Sequence, residues 1–318
     1  MDTLSRLSNS IKTEAARLGF SACGIAKAGP VDKRAAENLA RWTGNGGHAG
    51  MDYMARNTDK RLDPTLLMPG AVSIVSVALN YAPQTRMPSG EMQIAAYAYG
   101  QDYHHVVKGK LREMAAALGF AEWTEGVSEG VWYRAFCDSA PILERYWAEK
   151  AGIGWTGRNH QLIIPRAGSM FFLGELLLSC ELAYDKPMEN RCGNCQRCIT
   201  ACPTKAIAKM EDGTTAFASE KCLSYQTIEN RGEIPPEIKS RMGGRIYGCD
   251  ECIRACPWNR FSHPTSEESL KPSPELLSMK KADWLALTPE KYASLFKGSA
   301  VKRAKYQGLV RNIRAAME

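Results

Sequence analysis

The stretch Cys192-Gly-Asn-Cys195-Gln-Arg-Cys198-Ile-Thr-Ala-Cys202-Pro203 constrains this chain more than any other. Its spacing is C-x2-C-x2-C-x3-C-P, in which three thiolates wrap one [4Fe–4S] cube and the fourth turns toward a second. Downstream, Cys249-Asp-Glu-Cys252-Ile-Arg-Ala-Cys256-Pro257 repeats the last three cysteines of the pattern, with Ile246 in the place of the first. Cys222, isolated between the two runs, is the natural substitute. Crossed ligation then predicts cluster one on Cys192, Cys195, Cys198 and Cys256, and cluster two on Cys202, Cys222, Cys249 and Cys252. Structural zinc sites also use C-x2-C pairs, but zinc has no need of the C-x3-C-P ending twice. The spacing therefore implies a chain that moves electrons.

Clusters require thiolates, and this bears on where the chain works. Eight of its eleven cysteines are committed to metal, which argues against disulfides and for the reducing cytoplasm. The start, Met1-Asp2-Thr3-Leu4-Ser5-Arg6, has neither an apolar core nor a twin arginine, so export is not expected. The most apolar runs, Ala71–Leu79 and Met170–Cys180, are too short to span a bilayer, and no membrane association is expected. With 44% hydrophobic and 24% charged residues among 318, the chain can bury a full core. Its formal charge is +7. Each oxidised cube with four thiolates contributes −2, so the holoprotein carries roughly +3. The excess gathers at Lys297, Lys302, Arg303, Lys305, Arg311 and Arg314, where no acid interrupts it; such a run suits a polyanion such as RNA or a solvated terminal helix.

Periodicity predicts an α+β organisation. Leu4, Leu7, Ile11, Ala15 and Leu18 mark an amphipathic helix stopped by Gly19. A strand over 21–26 and a helix over 33–43 capped by Asp32 follow, with Ala36, Leu39 and Trp42 inward. The glycine-rich stretch Gly44–Gly50 follows a helix instead of a strand, which excludes a dinucleotide fingerprint and predicts a mobile loop on the substrate side. Further strands are expected over 71–79, 93–99 and 131–136, a helix over 105–118, and a helix from Asp138 to Lys150 with Pro141 in its first turn. Residues 161–164 and 170–178 read as a hairpin. Three parts result: an α+β sheet-and-helix domain over 1–185, a ferredoxin-like two-cluster module over 186–262, and a basic helical segment over 263–318.

A cluster module joined to so large a domain serves two-electron chemistry, which needs an acceptor able to hold an intermediate state. There is no C-x-x-C-H haem attachment, and flavin and cobalamin both stay open on the residues alone. Arg61-Leu-Asp-Pro64, Tyr97-Ala-Tyr-Gly100-Gln-Asp102-Tyr103-His104 and Cys137-Asp138-Ser-Ala-Pro141-Ile-Leu-Glu144-Arg145 carry a further signal. So do Gly154-Trp155-Thr-Gly157-Arg158-Asn159, Gly174-Glu175 and Tyr247-Gly-Cys249-Asp250. In this order, over residues 5–315, the chain resembles the epoxyqueuosine reductases.

The resemblance implies cobalamin, two [4Fe–4S] clusters, and a tRNA carrying epoxyqueuosine in its anticodon loop. It implies electrons from a low-potential donor such as ferredoxin or flavodoxin, passing through cluster one and cluster two to reduce cob(II)alamin to cob(I)alamin. Cobalt then engages the epoxide, and loss of water leaves queuosine. The chain is expected to work as a monomer. Asp138 matches the proton donor; Arg61, Asp138, Ser224 and Asp250 match cobalamin contacts; and His104 matches a substrate contact. On the residues alone, Asp138 before Ser-Ala-Pro is as well suited to a helix N-cap. A cap lowers a carboxyl pKa, whereas a donor needs it raised, so desolvation has to win. Asp102-Tyr-His104 also begins a cobalamin motif, but Val107 replaces its glycine, so His104 is not read as a cobalt ligand. Some relatives carry cysteine where Ala95 stands, and many continue beyond the position of Arg311 into helical repeats that grip tRNA. Cys23, Cys137 and Cys180 read as small buried apolar residues. A reductive dehalogenase shares the cofactor set, and a plain ferredoxin-type carrier shares the clusters.

Overall fold

The run Ser73–Asn80 (β2) is where the fold is organised: Ile74 and Ala78 enter one apolar cluster, while Val75, Val77 and Leu79 enter another. A strand apolar on both faces must be covered on both. The computed structural model, which describes residues 3–126, 129–211 and 213–318, places it in a five-stranded sheet. The other strands are β1 (Ala22–Lys27), β3 (Ala121–Glu122), β4 (Trp132–Phe136) and β5 (Phe171–Leu178). Their order is β1-β2-β5-β4-β3, antiparallel except for the β3/β4 edge. Helices Thr3–Arg17 and Tyr103–Ala117 contribute Ile11, Ala15, Val107, Leu111 and Met114 to one face. Helix Glu144–Lys150 covers the other with Trp147 and Ala148. Gly174 in β5 allows this approach, because a Cβ there would lie 2.6 Å from Val107 Cγ1.

The first core continues without a break into the last fifth of the chain, through Trp284, Phe296, Val301, Leu309 and Ile313. Helix Lys305–Ala315 is fixed by the fully buried Asn312, whose amide donates to the carbonyls of Thr227 (2.7 Å) and Ile246 (2.8 Å). Arg311 donates to the carbonyls of Gln226, Asn230 and Gly232. Arg303 forms a two-point pair with Glu229 at 2.7 and 2.8 Å. Two of the six basic residues toward the C-terminus therefore have structural tasks, while Lys297, Lys302, Lys305 and Arg314 are exposed. No helix among the described residues is long and apolar enough to cross a membrane.

Several local expectations change. The strand expected over 93–99 extends only over Gln93–Ile94, because the Ala95 N–H turns to the Tyr247 carbonyl and the Ala96 N–H to the Asp250 carboxylate. The expected hairpin does not pair with itself: Leu162–Ile163 pairs with Trp155–Thr156, and β5 is taken by β2 and β4. Helix Lys33–Gly44 leaves none of its residues fully buried. The glycine-rich loop is clamped to the cysteine-rich module: Trp42 donates to the Phe217 carbonyl, Ser219 to the Gly47 carbonyl, and the Gly50 N–H to the Tyr225 hydroxyl. A Cβ on Gly50 would lie 2.8 Å from that hydroxyl, so glycine here serves close packing.

Candidate active site cavity

A cavity of about 770 Å³ opens between the sheet domain and the cysteine-rich module. Cys202, Cys222, Cys249 and Cys252 all line it, and so do Arg61, Asp138, Ser224 and Asp250. None of Cys192, Cys195, Cys198 and Cys256 does. Those four form the other group: Cys192 and Cys256 pack with Trp155 and Trp258, and Cys192, Cys195 and Cys256 each act on the Cys198 thiol. The two groups are presented by short helices, Arg197–Ala201, Leu223–Ile228 and Glu251–Arg254. Burial pushes the Cys249 thiol up to about 12 and the Cys198 thiol to about 11, and it raises Cys222, Cys252 and Cys256 as well. Such thiols are neutral at pH 7 unless a metal displaces the proton. Backbone N–H groups partly offset the rise, those of Ser224 and Tyr225 at Cys222 and that of Glu251 at Cys249.

The two cysteine loops are tied to the sheet domain by one dipeptide. Arg158 donates to the Cys195 carbonyl (2.6 Å), and Asn159 to the Cys252 carbonyl (3.3 Å). Asn159 is buried, so its amide is committed to this task.

Arg61 is only 6% exposed. It donates to the Tyr53 carbonyl (3.2 Å), no carboxylate pairs with it among the described residues, and its Nε has no partner. Burial lowers its pKa. A buried guanidinium in this state is a donor waiting for a ligand acceptor. Asp250 is anchored by the Ala96 N–H at 2.8 Å, with Arg86 at 3.9 Å; burial raises its pKa. Ser224 lies half-buried two residues past Cys222.

Asp138 is not an N-cap. The helix begins at Glu144, and Asp138 occupies a turn with φ +57°, a left-handed value uncommon outside glycine. Its N–H donates to Glu144 Oε1 (2.5 Å), holding the turn. Its carboxylate accepts the Tyr103 hydroxyl and lies 3.4 Å from His104 Nε2. On the other side of the ring, His104 Nδ1 meets Asp102 Oδ1 at 2.6 Å. Asp102 itself caps helix Tyr103–Ala117. The Tyr103 ring is stacked between Phe172 (4.2 Å) and His104 (4.1 Å).

The electrostatics of this group differ from the expectation. Desolvation does raise the Asp138 carboxyl, but the His104 and Tyr103 hydrogen bonds outweigh it and leave the pKa below the ordinary value. Burial likewise opposes charge on His104, yet Asp102 and Asp138 together push its pKa up to about 9. At neutral pH the shared proton therefore sits on His104. Behind the turn, Glu144 is pushed up to about 7 by burial and by Asp138. The fully buried Glu175 of β5 is raised by burial and by Glu144, whose carboxyl shares a hydrogen bond with it. Sequence reasoning assigned no role to Tyr103, Glu144 or Glu175; the one available signal was that Tyr103 adjoins His104 directly after a capping aspartate.

Comparison with known proteins identifies the family. A family model described as a 4Fe–4S double cluster binding domain matches residues 191–259. A second, described as epoxyqueuosine reductase QueG, DUF1730, matches residues 61–139. The epoxyqueuosine reductase of Cellulophaga algicola is 45% identical over 315 residues, covering 98% of this chain and 99% of its own. That of Escherichia coli K12 is 39% identical, covering 99% and 81%. The crystal structure of an epoxyqueuosine reductase with an epoxyqueuosine-modified tRNA-Tyr stem loop superposes with a TM-score of 0.84 at 25% identity, covering 98% of this chain and 81% of that one. The Bacillus subtilis epoxyqueuosine reductase, solved with its catalytic aspartate loop swung out of the active site, gives 0.85 at 26% identity, with the same coverage. With such identity over its full length, the chain belongs to the epoxyqueuosine reductase family.

Proposed function

We propose that the chain performs the epoxide-to-alkene reduction of its family on a tRNA anticodon base, with cobalamin in the 770 Å³ cavity, two [4Fe–4S] clusters behind it and Asp138 delivering the proton. The supporting observation is a single one: Asp138 and the four cluster-two cysteines line the same cavity. The overall change is epoxide plus two electrons and two protons giving alkene plus water. A corrin is a broad disc edged with amides, and the cavity offers it an aromatic ring at Tyr53, donors at Arg61 and Ser224, and the Asp250 carboxylate. The unpartnered Nε of Arg61 is the polar atom such an amide carbonyl would satisfy. Bound there, cobalamin supplies the low-valent metal that takes single electrons and opens the epoxide.

The protein's own residues manage protons and position. The Asp138 turn presents its carboxylate to the cavity while Glu144 and Tyr103 fix its orientation. His104, held charged by Asp102, is the proton reservoir: its proton passes to Asp138 and on to the leaving oxygen, and solvent supplies the second proton of the overall change. The carboxyl thus needs no raised resting pKa. Placement supports the electron order, since the cluster-two cysteines line the cavity and the cluster-one cysteines do not. Exposed Lys297, Lys302, Lys305 and Arg314 suit tRNA phosphates, a contact that weakens with salt. The relative solved with a modified tRNA stem loop supports an RNA substrate. A stacked base could not reach the cavity, so the target is flipped out.

The deciding experiment is the visible spectrum of anaerobically reconstituted protein with added cobalamin. Retention of corrin through gel filtration, and its loss in Arg61→Met, is expected. Protein that holds two cubes and no corrin would instead be an electron carrier.

A further inference from the structure

On the cluster-one side lies a groove of about 560 Å³ that shares no lining residue with the active cavity. Four exposed arginines line it, Arg86, Arg197, Arg254 and Arg260, together with the cluster-one ligand Cys256. Among the described residues no aspartate or glutamate lines it, and Ala82, Pro83 and Pro257 add apolar surface to its lining. Arg254 and Arg86 reach acids outside the groove only loosely, Glu251 at 3.6 Å and Asp250 at 3.9 Å. Arg197 and Arg260 have no carboxylate within ion-pair distance among the described residues; Arg260 lies over the Phe261 ring at 4.6 Å. Arginines massed without counter-charges repel one another, and a little apolar surface among charged side chains is the anatomy of a transient protein interface.

We propose that this groove docks the electron donor, an acidic low-potential carrier protein of the flavodoxin or ferredoxin kind. Electron transfer falls steeply with distance, so a donor serving cluster one must seat against that cluster's own ligands. Cys256 lies in the groove, and Cys192 and Cys195 are half-exposed. An acidic partner supplies the missing carboxylates and is steered to the site by the arginines' field. RNA is the other polyanion at hand, but its modified base has to enter the separate cavity. The inference rests on the electron path proposed above, with cluster one as the point of delivery.

The test compares the holoprotein with the double variant Arg197→Glu/Arg260→Glu, each carrying both clusters by iron content and EPR. Stopped-flow bleaching of the clusters is followed with two reductants: reduced flavodoxin, and photoreduced 5-deazariboflavin, which is small and uncharged. The variant is expected to lose about tenfold or more of the flavodoxin rate at low salt and none of the deazariboflavin rate, and wild type is expected to slow as salt rises. Arg197→Lys/Arg260→Lys should keep most of the rate. Equal flavodoxin rates in wild type and the Glu variant would overturn the docking site. A matching loss of anticodon stem-loop binding in a filter assay would reassign the groove to RNA. Clusters that deazariboflavin cannot reduce even in wild type would instead overturn the electron path itself, and the donor site with it.

Discussion

The two walls of the cavity are held in place by different physics. The sulfur wall rests on helices of four to six residues, each too short to be stable alone, and on carbonyl contacts from Arg158 and Asn159. Its thiols are buried against their own ionisation, so it depends on metal to become what it is. The acid wall rests on the sheet and on helix Tyr103–Ala117, and its charges are matched within the protein: Asp102, His104 and Asp138 share protons in a line. One wall is completed by what it binds, and the other is complete before anything binds. Damage to the first should therefore appear as lost cofactor, and damage to the second as lost turnover with cofactors in place.

That contrast is broken or sharpened by four variants. Cys222→Ala should act hardest, lowering iron from about eight to about four atoms per chain and abolishing turnover; a chain that keeps both cubes by EPR would remove Cys222 from the ligand set. Asp138→Asn should lower kcat about 100-fold or more with iron and corrin content unchanged; full activity would strip the acid wall of its chemistry. His104→Gln should cost about tenfold in kcat at pH 7 and remove a limb from the pH profile. The sign follows from a histidine pKa raised on folding to about 9. Its contribution to stability is complete below about 6.5, the unfolded value, and disappears as pH rises through about 9. Since His104 is partly exposed, the shift in Tm is screened and modest. Glu175→Gln should have the smallest effect. Burial raises both Glu175 and Glu144, so the native state binds more protons than the unfolded chain above the ordinary carboxyl pKa, and stability declines as pH rises from about 4.5, through about 7 for Glu144. The amide should flatten that decline in a Tm–pH series, and an unchanged slope would mean Glu175 stays ionised.

The double-cluster module was legible because most of its cysteines recur within a few residues, Cys222 alone standing apart from both runs. The acid wall was not. Asp138 reads locally as a helix cap; its partner Tyr103 lies thirty-five positions away, and the turn with φ +57° has no sequence signature outside glycine. The strand expected over 93–99 stops at Ile94 because Tyr247 and Asp250, some 150 residues on, take the next two N–H groups. The basic run toward the C-terminus reads as one surface, yet Arg303 and Arg311 are spent on Glu229 and on backbone carbonyls. Where a residue's partner is local the sequence displays it; where the fold supplies the partner, the sequence is silent.

The amide of Asn312 has a consequence beyond its own helix. It is the buried link to the carbonyls of Thr227 and Ile246, the segments that carry Cys222 and lead into Cys249. Without it those two buried carbonyls lose a donor, and both loops lose the same fastening at once. One side chain outside the cysteine-rich module thus sets how two of its segments stand to each other.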